Sequence, residues 1–444
     1  MLKSYKLSVF VVTIVFSLLV WWGMGLAQEK PFAGITLNVL MESISDTDVV
    51  EQVLPEFEKE TGIKVEIEAV EYMTMHDKLI PQLLAPEKSG TYDFLIVDNY
   101  WIGEFVAGGW LIPLDDLIAR TPSINFDNYI PSLISQFAQI GGVTYMLPFW
   151  PYPHGIVYRT DIIESPEFQK AYKERFGRNW REPQSIEEYA EVAKLAGKVT
   201  PPEVYGAAMQ AARIDPIVME WLDFLYSMGG DIYDRTTWEC IINNEAGIKA
   251  AELYMGLLEE AAQPGVTGAD FNERAILFEQ GKAAFNIVHV PQMIEYRDPK
   301  ISQVYDKIKL IPVPKSGLLG CWLWGIQKSS PHPEAAWEFI SWVESREIAY
   351  KRAMIGAMPA QGWIYEDPAF LEKNPWQTYT GKMIAMQKSV PNVSRSTQVV
   401  EIIGENMSAY VIGEISSARE ALDKAAKDLT KLIQGDPMLK FLKK

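Results

Sequence analysis

Residues 35–70 read ITLNVLMESISDTDVVEQVLPEFEKETGIKVEIEAV. The hydrophobic period changes twice along this stretch. ITLNVLM reads as a strand. DVVEQVLPEFEKETG then sets Val50, Val53, Leu54 and Phe57 on one helical face, and Gly62 supplies the usual left-handed stop. IKVEIEAV alternates as a second strand. The pattern continues with a helix at TMHDKLIPQLLA and a buried third strand, YDFLIVD, that runs into the loop NYWIG. EFVAGGWLIPLDDLI follows as helix, turn and short amphipathic element. Repeated βα units predict an α/β fold with a parallel or mixed sheet covered by helices on both faces.

In such sheets ligands bind beyond the carboxyl ends of the strands. Glu42 and Ser43 lie at one such end, and Asp98, Asn99 and Trp101 at another. Asp and Asn also cap turns routinely, and Trp also fills cores, so each residue carries two readings.

A second alternating stretch begins after Gly155. GIVYRTD reads as a strand, and residues 165–197 as helix, loop and helix with Ser185 as an N-cap. Helices follow at IVMEWLDFLYSMGGDIYD, stopped by Gly229–Gly230, and at NEAGIKAAELYMGLLEEA. ERAILFEQGKAAFNIVHV is helix, glycine stop and strand; PEAAWEFISWVESREIAYKRA and the tail from Gln398 to Gln434 are helical.

With 444 residues the chain is too long for one ordinary core, which predicts at least two lobes. A net charge of −17 argues against nucleic acid or an anionic membrane surface as partner. The N-terminus has a secretory pattern: Lys3 and Lys6, an apolar run from Leu7 to Val20, then Gly25 to Ala27 as small residues before a cleavage point. An uncleaved anchor is the other reading, because Trp21 and Trp22 lengthen the apolar run. No cysteine lies near that point to carry an acyl anchor, so a periplasmic location is expected. Cys240 and Cys321 are expected to be unpaired thiols, and the four histidines show no metal-ligand spacing. No GxSxG, Walker, HExxH or Cys-His signature occurs.

One stretch stands apart. Residues 149–155, FWPYPHG, place Phe149, Trp150, Tyr152 and His154 among prolines that disfavour helix and central strand, so they are expected on a loop. Aromatic residues make up 12% of the chain, with 14 tryptophans. Flat rings suit the C–H faces of a sugar, while its hydroxyls need paired donors and acceptors once water is excluded.

The segments FEKETGIKVEI, YDFLIVDNYWIGEFVAGGWLIPLDD, YMLPFWPYPHGIVYRTDI, FLYSMGGDIYD, FEQGKAAF and GCWLWGIQKSSPHPEAAWEFISWVES occur in this order from about Leu37 onward. In order and spacing they resemble the extracellular solute-binding proteins of ABC import systems, the large sugar-binding family that includes maltose-binding protein. The resemblance implies a periplasmic-binding-protein-like fold of two α/β lobes, a hinge and an interlobe cleft. It implies a signal peptide at 1–27, a first lobe at 28–149 and 285–345, and a second at 150–284 and 346–444. Chain crossings are expected near LPFWPYPHG, near GKAAFNIVHV and after AAWEFISWVES. The family often reads Gly-Gly-Trp where Gly320-Cys321-Trp322 stands here, and Gly-Pro-Trp where His289-Val290-Pro291 stands. A stacking tryptophan is therefore missing at 291, and His289 substitutes a polar contact.

The ligand set so expected is Glu42, Asp98, Asn99, Trp101, Trp150, Tyr152, His154, His289, Trp322 and Arg395. The function expected is capture of a carbohydrate or polyol by lobe closure. The partner expected is a membrane permease, the chain is expected to be a monomer, and no cofactor is implied. The alternative is a secreted glycoside hydrolase, whose paired carboxylates sequence spacing does not reveal.

Overall fold

The computed structural model describes residues 30–442, so the expected signal peptide lies outside the described residues. Eight strands form the main sheet: β1 (Thr36–Glu42), β2 (Lys64–Val70), β3 (Phe94–Asp98), β4 (Met146–Arg159), β5 (Tyr205–Ala208), β6 (Ala283–His289), β7 (Ile308–Pro312) and β8 (Leu319–Ile326). Their order is β2-β1-β3-β8-β4-β6-β5, with β7 also on β4. β1 pairs in parallel with β2 and β3, and β8 runs antiparallel between β3 and β4. The mixed sheet expected from the βα pattern is present.

The opening βαβ unit is built as its residues dictate. Helix α1 (Ser45–Thr61) buries Val49, Val50, Val53 and Phe57 and stops at Gly62, whose φ of 76° is left-handed. β2 alternates between buried and exposed positions over its first half, as the edge strand of the sheet. Helix α2 (Tyr72–Leu83) begins directly after it, and α3 (Ile102–Ala107) follows β3. In the second half, α4 (Pro166–Phe176) and α5 (Ile186–Val199) carry side-chain N-caps at Ser165 and Ser185. α6 (Asp215–Ser227), α7 (Glu245–Glu260) and α8 (Phe271–Glu279) complete this half. α9 (Pro333–Val343) and α10 (Arg346–Ile355) pack on α1, whereas α11 (Ser396–Val411) and α12 (Ala418–Gln434) pack on α6 and α7.

Residues 149–155 are not a loop. They form the middle of β4, a 14-residue strand that belongs to both lobes. The prolines are tolerated because the first half of β4 is paired on one edge only, by β8. His154 N–H points to Leu318 O at 3.0 Å, so by alternation the ring nitrogens of Pro151 and Pro153 face the unpaired edge. A bulge at Phe149 shifts the register from Trp322↔Trp150 to Leu323↔Pro148.

β7 and β8 follow one another along the same edge of β4, from Ile308↔Arg159 to Gly325↔Met146. The return to the first lobe therefore lies in residues 313–318. Residues 283–312 stay with the second lobe, because β6 and β7 both pair with residues 154–159. The crossing expected near GKAAFNIVHV falls later than expected for that reason. Residues 346–361 remain on the first lobe, where α10 packs against α1 and Ala360 O accepts from Ile130 N–H. The chain next passes beside the hinge at Lys388, which bridges Leu318. Cys240 and Cys321 are unpaired.

A buried cluster holds this hinge. Asp223 on α6 accepts from Leu318 N–H at 2.8 Å and lies 2.7 Å from His154 Nδ1. The side chain of Gln387 bonds both backbone groups of His154, accepting from its N–H at 3.0 Å and donating to its carbonyl at 2.5 Å.

Candidate ligand-binding cleft

A cavity of about 440 Å³ lies between the lobes. Its first-lobe wall is assembled at the carboxyl ends of adjacent strands. Glu42 ends β1, Tyr72 opens α2 just beyond β2, and Asp98 ends β3. Register does the rest: Trp322 on β8 is paired with Asp98 on β3 and with Trp150 on β4. A carboxylate and two indoles thus stand abreast on three neighbouring strands.

The opposite wall comes from the second lobe. Asp215 opens α6, Phe271 and Asn272 open α8, and His289 ends β6. α8 is fixed by a capping box between Asp270 and Glu273, which accounts for both of those acids. Ile214, one residue before Asp215, has φ 79°, a strained value for a β-branched residue and one that clusters at functional sites. Pro291 and Gln292 line the cavity just beyond His289.

The walls are electrically unusual. Burial raises Glu42 to about 8, with repulsion from Asp98 and Glu71 adding to it. Burial raises Asp98 to about 7; the Tyr100 N–H pulls it down and Asp215 pushes it up. Burial alone raises Asp215 to about 6. His289 is held well below the usual imidazole range by burial, then by His154 and Arg274, so the ring is neutral. Trp150 Nε1 and His289 Nε2 are buried without a hydrogen-bond partner, and both rings line the cavity. Such atoms are costly unless something pairs with them.

Six of the ten expected residues line this cavity: Glu42, Asp98, Trp150, Tyr152, His289 and Trp322. Three stand immediately behind its wall. Trp101 is only 4% exposed; it stacks on Tyr72 at 5.8 Å and meets Trp322 edge-on at 5.5 Å. The turn from Asp98 to Trp101, closed by Trp101 N–H on Asp98 O, folds its indole back onto α2. Asn99 is buried and accepts the Tyr152 hydroxyl at 2.6 Å. His154 is fully buried in the hinge cluster, and the close approach to Gly155 comes from Leu310 rather than from the cleft. Arg395 is exposed just before α11 and is outside the cavity lining. Cys321 points away from the cleft, as strand alternation requires when Trp322 points in.

The sequence reading missed Tyr72, Asp215, Phe271 and Gln292. Tyr72 was findable, since it follows the end of β2 as Ser43 follows the end of β1. Asp215 and Gln292 are set by loop geometry that no local period signals.

The fold and cleft have counterparts among known proteins. The family described as bacterial extracellular solute-binding protein matches residues 43–350. A "probable amino-acid ABC transporter periplasmic-binding protein" of Sinorhizobium fredii is 24% identical over 386 residues, 86% of each chain. The mannitol-binding protein of Pseudomonas aeruginosa is 23% identical over 380 residues, 79% of this chain and 83% of its own. A solute-binding protein from Agrobacterium radiobacter K84, solved in complex with ribitol, is 25% identical with a TM-score of 0.77, covering 91% of this chain and 100% of that one. A maltose-bound Thermotoga maritima protein shares the fold at 22% identity and a TM-score of 0.77, covering 90% and 100%. The family match spans well over half of the sequence, and the sheet order, shared strands and interlobe cleft are of one piece with it: the chain belongs to the bacterial extracellular solute-binding protein family.

Proposed function

We propose that this chain is the exported substrate-binding subunit of an ABC importer and that it closes around a sugar or polyol. The observation that carries the reading is the row Asp98, Trp322 and Trp150, facing Asp215, His289 and Gln292 across one cavity. Indole faces accept the C–H surface of a polyol, and the carboxyl, imidazole and amide groups pair its hydroxyls. Relatives that bind ribitol and mannitol support that class. The ligand drives closure by binding the closed form more tightly than the open one, and a membrane permease then reads the closed surface. The protein acts as a periplasmic monomer that binds without catalysis and uses no cofactor. Glu42, Asp98, Trp150, Tyr152, His289 and Trp322 contact the ligand, while Asn99, Trp101 and His154 position those that do.

A thermal-shift series over ribitol, mannitol, maltose, glucose and the common amino acids tests this. A ligand that binds only the folded form raises the melting temperature by mass action. At least one hydroxyl-rich compound is expected to give a rise, lost in Trp322→Ala. A rise with amino acids alone overturns the reading, and release of reducing sugar from an oligosaccharide overturns its non-enzymatic part.

A further inference from the structure

The cavity presents acids on both of its walls. Glu42, Asp48 and Asp98 come from the first lobe, and Asp215 and Glu295 from the second, while among the described residues no lysine or arginine lines it. The two lobes face each other with acids and no base, and Asp215 is close enough to Asp98 to push its carboxyl up. A cation held between them favours their ionised forms and pairs with them, whereas a neutral guest leaves the raised carboxyls holding their protons. The nearby buried cation, Arg274, stands behind the wall and not in the lining: its Nη2 donates to Gln292 Oε1 at 3.1 Å, its Nε and Nη1 are buried without a partner, and its charge acts on Glu220 and Asp223.

Rings surround the acids. Trp322 and Tyr72 meet at 89° with centroids 6.0 Å apart, and Trp150 and Tyr152 are 5.6 Å apart. An ammonium group is the chemistry that fits both features, because it donates to carboxylates in short charge-assisted bonds and rests on indole faces. The remaining polar lining, Ser43, Asn272 and Gln292, suits hydroxyls.

We propose that the cleft selects a polyhydroxylated ligand that bears one protonated amine, an amino sugar or amino alditol, over its neutral counterpart. This deepens the sugar or polyol reading and rests on it.

The test is isothermal titration of the purified protein at neutral pH with matched pairs: sorbitol against 1-amino-1-deoxysorbitol, and glucose against glucosamine and N-acetylglucosamine. The amine member of at least one pair is expected to bind tenfold or more tightly than its neutral partner. N-acetylation should erase the gain, and the gain should shrink as salt screens the charges. Asp98→Asn and Asp215→Asn, checked for folding by thermal melts, should each narrow the gap between the members. Equal or tighter binding of the neutral members overturns this proposal and leaves the polyol reading standing. If no member of any pair binds while ribitol, mannitol or maltose does, this proposal falls alone; if only amino acids bind, both fall.

Discussion

Tyr152 Oη donates to Asn99 Oδ1 at 2.6 Å, and the same oxygen accepts from Cys321 N–H at 3.2 Å. One buried amide therefore ties the end of β3 to β4 and β8, the three strands that carry Asp98, Trp150 and Trp322 into the cleft. Asn99→Ala removes the acceptor of the Cys321 N–H and leaves the buried Tyr152 hydroxyl only its long 3.4 Å bond to Asp98 Oδ2. It is expected to cost about 2–3 kcal/mol of stability in urea unfolding. Tyr152→Phe leaves Cys321 still paired and is expected to cost about 1 kcal/mol.

Gly320 lies opposite Tyr152 in the β8–β4 ladder, and a Cβ there would fall inside the tyrosine ring. Gly320→Ala is expected to displace Tyr152 from the cleft wall and to weaken ligand binding at least tenfold. The double variant Gly320→Ala/Tyr152→Ala should recover the stability that the glycine change alone loses. A calorimetric titration alongside a denaturant series separates the two effects.

Asp223 and His154 join α6 to the strand that both lobes share. Burial holds the imidazole neutral and pushes the Asp223 carboxyl up, while Leu318 N–H and then Arg274 pull that carboxyl down. Asp223→Ala strands His154 and Leu318 N–H at once and is expected to cost about 3 kcal/mol or more. Asp223→Asn keeps an acceptor for Leu318 and should cost less. Global unfolding followed by tryptophan fluorescence checks the order.

The cleft carboxyls give the protein a pH signature. Glu42 at about 8 and Asp98 at about 7 are raised above their unfolded values near 4, chiefly by burial. The folded chain holds protons there that the unfolded chain has lost, so this stability is full below the unfolded values and disappears as pH rises through 7 to 8. Buried Asp46 and Glu220, both raised to about 8, act with the same sign. Above pH 7 the imidazoles of His154 and His289, held low by burial, are neutral in the folded chain, and the unfolded chain keeps only a small, vanishing fraction of their protons, so they oppose the slope only weakly. The melting temperature is therefore expected to fall between pH 7 and 8.5, and Glu42→Gln should flatten that fall. A rise over this window contradicts the assignment.

The sequence declared the architecture and concealed the register. Apolar periods marked the βα units, and Gly62 and Ser185 marked helix ends that the structure keeps. Strand ends pointed to Glu42 and Asp98, because a parallel sheet delivers its carboxyl ends to one side whatever its loops do. Trp101 broke the same rule, since a single turn after Asp98 decides whether an indole faces the cleft or the helix behind it. FWPYPHG read as a loop because proline was weighed without knowing which edge of its strand would be unpaired. Trp322 and Trp150 stand abreast through a pairing between positions far apart in the chain, and no local pattern records such a pairing.

β4 and its companion edge run unbroken through both halves of the molecule, apart from residues 313–318. The halves are thus joined by a torsion bar rather than by slack tethers. Rotation of one half against the other has to be taken up as extra twist along paired strands, which sheets tolerate in one hand more readily than the other. The path between open and shut is accordingly narrow, and an engineered kink in that bar would alter the swing without touching a single group that meets the solute.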